Sequence, residues 1–84
     1  MTEDLEIKDV VRAFILQEFL PGEDPQSLTD DTGLISGGIL DSIATVKLVS
    51  FLEEQYGVSF AAHELTADYL DTLDAIADGV RSKL

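Results

Sequence analysis

Apolar residues return with helical spacing from the start of the chain. Ile7, Val10, Val11, Phe14 and Ile15 stand at i, i+3, i+4, i+7 and i+8, one stripe of a helix running from near Asp4 to near Phe19. Glu3, Asp4 and Glu6 fall in its first turn, where carboxylates favour the positive end of the helix dipole, and Pro21-Gly22 stops it. A second stripe, Ile43, Val46, Val49, Phe51, Leu52 and Tyr56, extended by Leu48, predicts a helix over 43–56 with Lys47, Glu53 and Glu54 facing away. Gly57 suits the left-handed position after that helix, Val58 suits a contact back onto its last turn, and Val58-Ser59-Phe60 is expected to be extended. His63 to Leu70 is long enough for a turn or two, with Leu65, Tyr69 and Leu70 as its apolar side. In the last segment Leu73, Ile76, Ala77, Val80 and Leu84 repeat the period, Asp71 or Thr72 is the expected cap, and Arg81 and Lys83 lie at the negative end. The pattern predicts an all-α fold: a four-helix bundle of three longer helices and a short third one, in a single domain over 1–84.

Between the first two helices lies a long connection. Pro25, Asp30-Asp31-Thr32-Gly33 and Ser36-Gly37-Gly38 are turn chemistry, yet Leu28, Leu34, Ile35, Ile39 and Leu40 are interleaved with them, so the segment is expected to be pinned to the core. Ordered loops of this length often carry function, and this one delivers Asp41-Ser42 to the start of the second helix.

Composition narrows the class. The chain has 84 residues with 17 Asp and Glu against 5 Lys and Arg, a formal net charge of -12. Five scattered cations cannot build a phosphate-binding face, which excludes a nucleic-acid partner. An apolar content of 45% and a mean hydropathy of +0.15 exclude a disordered acidic tail. No apolar run approaches the roughly 18 residues of a membrane span, so no membrane insertion is expected. The acidic start does not read as a signal peptide, which makes the cytoplasm the expected location. There is no cysteine, so thiol chemistry requires an added group.

Two catalytic or metal readings fail on spacing. A triad of Ser42, Asp41 and His63 lacks the Gly-x-Ser-x-Gly elbow, and a bundle this small has little room for a substrate pocket. A calcium loop at Asp30 places Leu34 and Ile35 where a ligand and a glycine are needed, while His63 is the sole histidine and reads as a surface or cap residue.

Asp41 is a good N-cap by residue type and puts Ser42 at the first helical position, where free amides and the helix dipole favour a phosphate ester on the hydroxyl. On residue type alone a serine there is ordinary capping. Gly38-Ile39-Leu40-Asp41-Ser42-Ile43, followed by Thr45-Val46 and Leu48-Val49, resembles the Asp-Ser-Leu attachment region of acyl carrier proteins and related phosphopantetheine-bearing carriers. The likeness extends over nearly the whole chain. It implies that Ser42 takes 4'-phosphopantetheine from coenzyme A, with Asp41 as supporting cap, and that the arm's thiol carries an acyl or aminoacyl group as a thioester. It also implies a non-enzymatic, monomeric carrier served by a phosphopantetheinyl transferase, an acyl- or aminoacyl-loading ligase and a downstream acyltransferase or synthase.

Two departures shape the expectation. The glycine that fatty-acid carriers place two before the aspartate is Gly38 here, three before it, and the acids common early in the second helix are replaced by Ala44 and Lys47. The partners are therefore expected to differ, and the sequence looks closer to stand-alone D-alanyl or aminoacyl carriers and some secondary-metabolism carriers. Expected partner contacts are Ile43, Val46, Lys47, Glu53, Glu54, Glu64 and Asp68, with core packing the main role expected of Val46. The acidic excess serves solubility or steering toward basic enzymes. The competing function is an unmodified acidic helical module that binds or regulates a basic enzyme.

Overall fold

The computed structural model describes the backbone of residues 2–84 and the side chains of 5–24 and 26–84. Its helices are α1 (Thr2–Phe19), α2 (Ser42–Tyr56), α3 (Ala67–Leu70) and α4 (Leu73–Lys83), with short 3-10 turns over Pro25–Ser27 and Ala62–Glu64. Among the described residues there is no strand, and the architecture is the all-helical bundle expected. The expected first-turn carboxylates Glu3 and Asp4 lie outside the described side chains.

The stripes face one core. Ile7, Val11 and Ile15 of α1, Leu48 and Leu52 of α2, and Leu73, Ile76 and Val80 of α4 are buried together, and α1 makes its most extensive packing with α4. Each such side chain contributes about 1.5–3 kcal/mol when fully removed from water. Phe14 stacks on Phe51 with ring centroids 4.1 Å apart and joins α1 to α2.

The long connection is pinned at three leucines, Leu28, Leu34 and Leu40, all buried in that core. Charge holds it as well. Arg12 donates from Nε to the Leu28 carbonyl (3.0 Å) and from Nη2 to Asp30 (2.6 Å), while Lys8 pairs with both Asp30 and Asp74. Asp30 thus ties the loop to α1, and its carbonyl accepts the Asp74 amide of α4 at 3.3 Å.

Several expectations need correction. Ile43 and Val46 do not face the core: they are 69% and 53% exposed, because the buried face of α2 is Ala44, Thr45, Leu48, Val49 and Leu52. Thr45 can be buried because its hydroxyl donates to the Asp41 carbonyl at 2.8 Å. Glu53 does not face away from the fold. Gly57 takes the left-handed conformation at φ 68° and turns the chain back, so Glu53 accepts the Phe60 amide at 2.9 Å. The predicted short helix divides in two: Leu65 closes the 3-10 turn, and Thr66 is extended before α3 begins. Leu84 leaves the stripe of α4 and is 59% exposed just beyond its end.

Candidate functional site

The end of the bundle where the long loop meets α2 is built around Ser42. Asp41 has extended backbone (φ -85°, ψ -173°), and its Oδ1 accepts the Ala44 amide at 2.7 Å, the N-cap expected from residue type. The helical ladder starts with the Thr45 amide donating to the Asp41 carbonyl at 2.9 Å. The amides of Ser42 and Ile43 therefore have no intrahelical acceptor, and α2 has no acidic residue in its first turn. The exposed Ser42 hydroxyl sits where the positive end of the dipole favours an anion.

The loop delivering it is a closed turn. Gly37 donates to the Gly33 carbonyl and Gly38 to that of Ile35, each at 3.1 Å, and Leu40 returns a bond to the Leu34 carbonyl at 2.9 Å. Gly38 has φ 82°, a left-handed conformation costly to other residues. The glycine displaced by one position from the fatty-acid pattern thus still performs a reversal, one residue earlier.

One cleft includes Ser42 and a second lies at its neighbours in sequence. The first, of about 470 Å³, is walled mainly by Ile35, Leu40, Thr45, Val46 and Leu65 and has Ser42 in its lining. The second, of about 360 Å³, is bordered by Glu18, Phe19, Ile39, Asp41, Ile43 and Lys47, and so by both sequence neighbours of Ser42 but not by Ser42 itself. An exposed serine in the lining of an open, partly apolar cleft fits a long flexible ester, and a sequence without cysteine fits an arm that brings its own thiol.

The structure brings together Asp41, Ser42, Ile43, Val46 and Lys47 at the exposed start of α2. Glu53 and Glu54 lie three turns away, about 16–18 Å along the helix at 1.5 Å per residue. Glu54 is exposed, whereas the Glu53 carboxylate is used internally. Glu64 is also engaged: it accepts the Ala61 amide at 2.8 Å and pairs with Lys83 at 2.9 Å. The Ala61 amide chiefly, then Lys83, holds its carboxyl below its ordinary value, against an opposing effect of burial. Asp68 is exposed on α3 and shares a groove with Tyr69 and Arg81. His63 is exposed with its ring edge-on to Tyr69, 5.8 Å away.

Sequence reasoning missed Ile35 and Leu65 as walls of the cleft and Asp71 as an anchor of the loop. Asp71 and Thr72 were alternatives for one cap. Thr72 takes that role, accepting the Ala75 amide at 3.0 Å, and the Asp71 carboxylate turns to the loop instead. The adjacent pair of cap-type residues was the available signal.

Among the described residues, no helix is long and apolar enough to cross a membrane. A chain from a solved structure described as that of an FAD-dependent dehydrogenase is similar to this one at 30% identity, with a TM-score of 0.75 over 83% of this chain and 97% of that one. No match was found among curated proteins. The family described as the phosphopantetheine attachment site matches residues 14–80, a span containing α2 and the loop before it. Its members are carrier domains that hold 4'-phosphopantetheine covalently and meet phosphopantetheinyl transferases and biosynthetic enzymes. Since this match takes in most of the chain, from the middle of α1 to Val80, the protein belongs to the phosphopantetheine attachment site family and has the role of a phosphopantetheine-bearing carrier.

Proposed function

We propose that residues 1–84 act as one cytoplasmic carrier domain, modified at Ser42, that shuttles an acyl or aminoacyl group between partner enzymes. The observation that carries this reading is the placement of Ser42: an exposed serine at the first residue of α2, beside two amides without intrahelical acceptors and in the lining of a cleft. In the transfer, Ser42 Oγ bonds to the phosphorus of coenzyme A's pantetheine phosphate, adenosine 3',5'-bisphosphate leaves, and the serine proton passes to a base of the transferase. The arm supplies the thiol on which cargo is held as a thioester. Asp41 fixes the backbone at the helix start, and Ile43 and Val46 leave exposed apolar surface on the first turns of α2.

Contacts with partners begin at Ile43, Val46 and Lys47 and extend outward to Glu54 and Asp68, all exposed. Glu53 and Glu64 contribute less, because each already accepts a backbone amide. The partner classes are a phosphopantetheinyl transferase, an acyl- or aminoacyl-loading ligase and a downstream acyltransferase or synthase. The likeness to a chain from the structure of an FAD-dependent dehydrogenase supports adding a flavoprotein dehydrogenase to them. A carrier works by raising the effective concentration of tethered cargo at each docked partner, while docking stays weak enough to release.

Incubation with coenzyme A and a broad-specificity phosphopantetheinyl transferase, followed by intact mass measurement, tests the site. Wild type is expected to gain one phosphopantetheine and Ser42→Ala none, with both folded by circular dichroism. A gain that persists in Ser42→Ala moves the attachment point elsewhere.

A further inference from the structure

Asp71 stands between α3 and α4, held in place by the buried side chains of Leu70 and Leu73. Its Oδ1 accepts the amides of Ile35 and Ser36, each at 2.8 Å, and its Oδ2 accepts the Ser36 hydroxyl at 2.9 Å. Its carbonyl accepts the Leu34 amide at 2.6 Å. One residue thus binds three consecutive residues of a loop 35–37 positions earlier in the chain. Thr72 caps α4 by itself, so this carboxylate is not needed for the helix it precedes.

We infer that Asp71 is a positioning residue for Ser42, a latch that fixes the loop delivering the attachment serine and ties that loop to α3. The inference rests on Ser42 as the attachment point and adds what governs its presentation. The connection is short and continuous. Leu34 gives its amide to Asp71 and takes the Leu40 amide on its carbonyl, and Leu40 stands two residues before Ser42. Ile35, whose amide the carboxylate holds, walls the cleft beside Ser42, and Leu65 and Thr66, just before α3, also line it. Asp71 therefore joins the loop wall of the cleft to the segment carrying its other wall. The donors that converge on the carboxylate, the Ser36 amide first and then the Ser36 hydroxyl, hold its pKa below the ordinary value against an opposing effect of burial, so the latch is charged at neutral pH.

A carrier whose loop samples open forms presents Ser42 correctly for only part of the time, and the apparent affinity of its partner falls by that fraction. The test is steady-state phosphopantetheinylation of Ser42 by a transferase, with amide hydrogen exchange on the same proteins. Asp71→Ala is expected to raise KM for the carrier about tenfold with little change in kcat, through loss of the competent population. Asp71→Asn keeps an oxygen for the two amides and is expected to restore most of the affinity. In Asp71→Ala the Ile35 and Ser36 amides are expected to exchange faster, while those of Leu48 and Leu52 in α2 keep their protection. Ser36→Ala, which removes one bond only, is expected to raise KM about two- to threefold by the same argument, and it carries the test if Asp71→Ala does not fold. Wild-type KM in a folded Asp71→Ala, or in Ser36→Ala, overturns the role of Asp71 while leaving Ser42 modified. Absence of modification in wild type overturns the Ser42 reading itself.

Discussion

Val46 and Leu48 are both aliphatic residues of α2, two positions apart, and their surroundings are opposite: Val46 is 53% exposed and Leu48 is fully buried. Replacement of Val46 by Ser is expected to change folding free energy by less than about 0.5 kcal/mol, whereas Leu48→Ala creates a cavity costing about 2–5 kcal/mol. Urea unfolding midpoints at constant m-value check the pair. Val46 is therefore open to mutation in transfer assays without loss of fold, as a contact beside the proposed attachment serine requires. The same scale corrects the reading of the acids. Glu53, Glu64 and Asp71 each accept at least one backbone amide that no helix ladder serves, so part of the acidic composition is internal structure as well as surface.

At the level of elements, α2 is defined at both ends by single residues. Asp41 accepts the Ala44 amide at its start, and Gly57 at its end takes φ 68° and donates to the Glu53 carbonyl at 2.9 Å. Asp41→Ala and Gly57→Ala are each expected to lower stability by about 1 kcal/mol, the first through an unmet amide and the second through left-handed strain. A β-carbon at Gly57 would meet nothing within 4 Å, so strain rather than collision is what that variant measures. Thermal unfolding checks both, and Asp41→Ala is further expected to slow modification at Ser42. By contrast α3 has only four residues, too few for a helix to hold itself, and its location comes from Leu70 in the core and from the Asp71 latch.

Across the whole molecule, a net charge of -12 is restrained by few cations at chosen points. Lys8 and Arg12 gather Asp30 and Asp74 where α1, the loop and α4 meet. The pKa shifts fix the direction of the pH response. Asp71 and Glu64 lie below their ordinary values when folded, so the stability they contribute is present above those values, near pH 4 or about that, and is lost as pH falls through the folded ones. The Lys8 pKa is raised, chiefly by Asp74, with burial opposing and Asp30 adding, so its contribution is present below its ordinary value and is lost as pH rises through the raised one. Melting temperature is therefore expected to be flat around neutrality and to fall below about pH 4 and above about pH 10. Asp71→Asn is expected to flatten part of the acid limb, measured by scanning calorimetry against pH.

What was legible in the sequence was local. The 3.6-residue spacing of Ile7, Val11 and Ile15 or of Leu73, Ile76 and Val80, the cap at Asp41 and the glycine at 57 each report on neighbours within a turn or two, where backbone geometry leaves few choices. Ser42 was singled out as the proposed attachment point through the same local signals and the motif around them. Which side of α2 turns to solvent at Ile43 and Val46, and where the carboxylates of Glu53 and Asp71 point, depended on residues brought close by the turn at Gly57 or by packing α4 against the loop. The Asp71 bonds cross 35 and 36 positions of sequence, so only the assembled bundle could decide them, because a hydrogen bond is specified by the position of its partner in space and not by residue type alone.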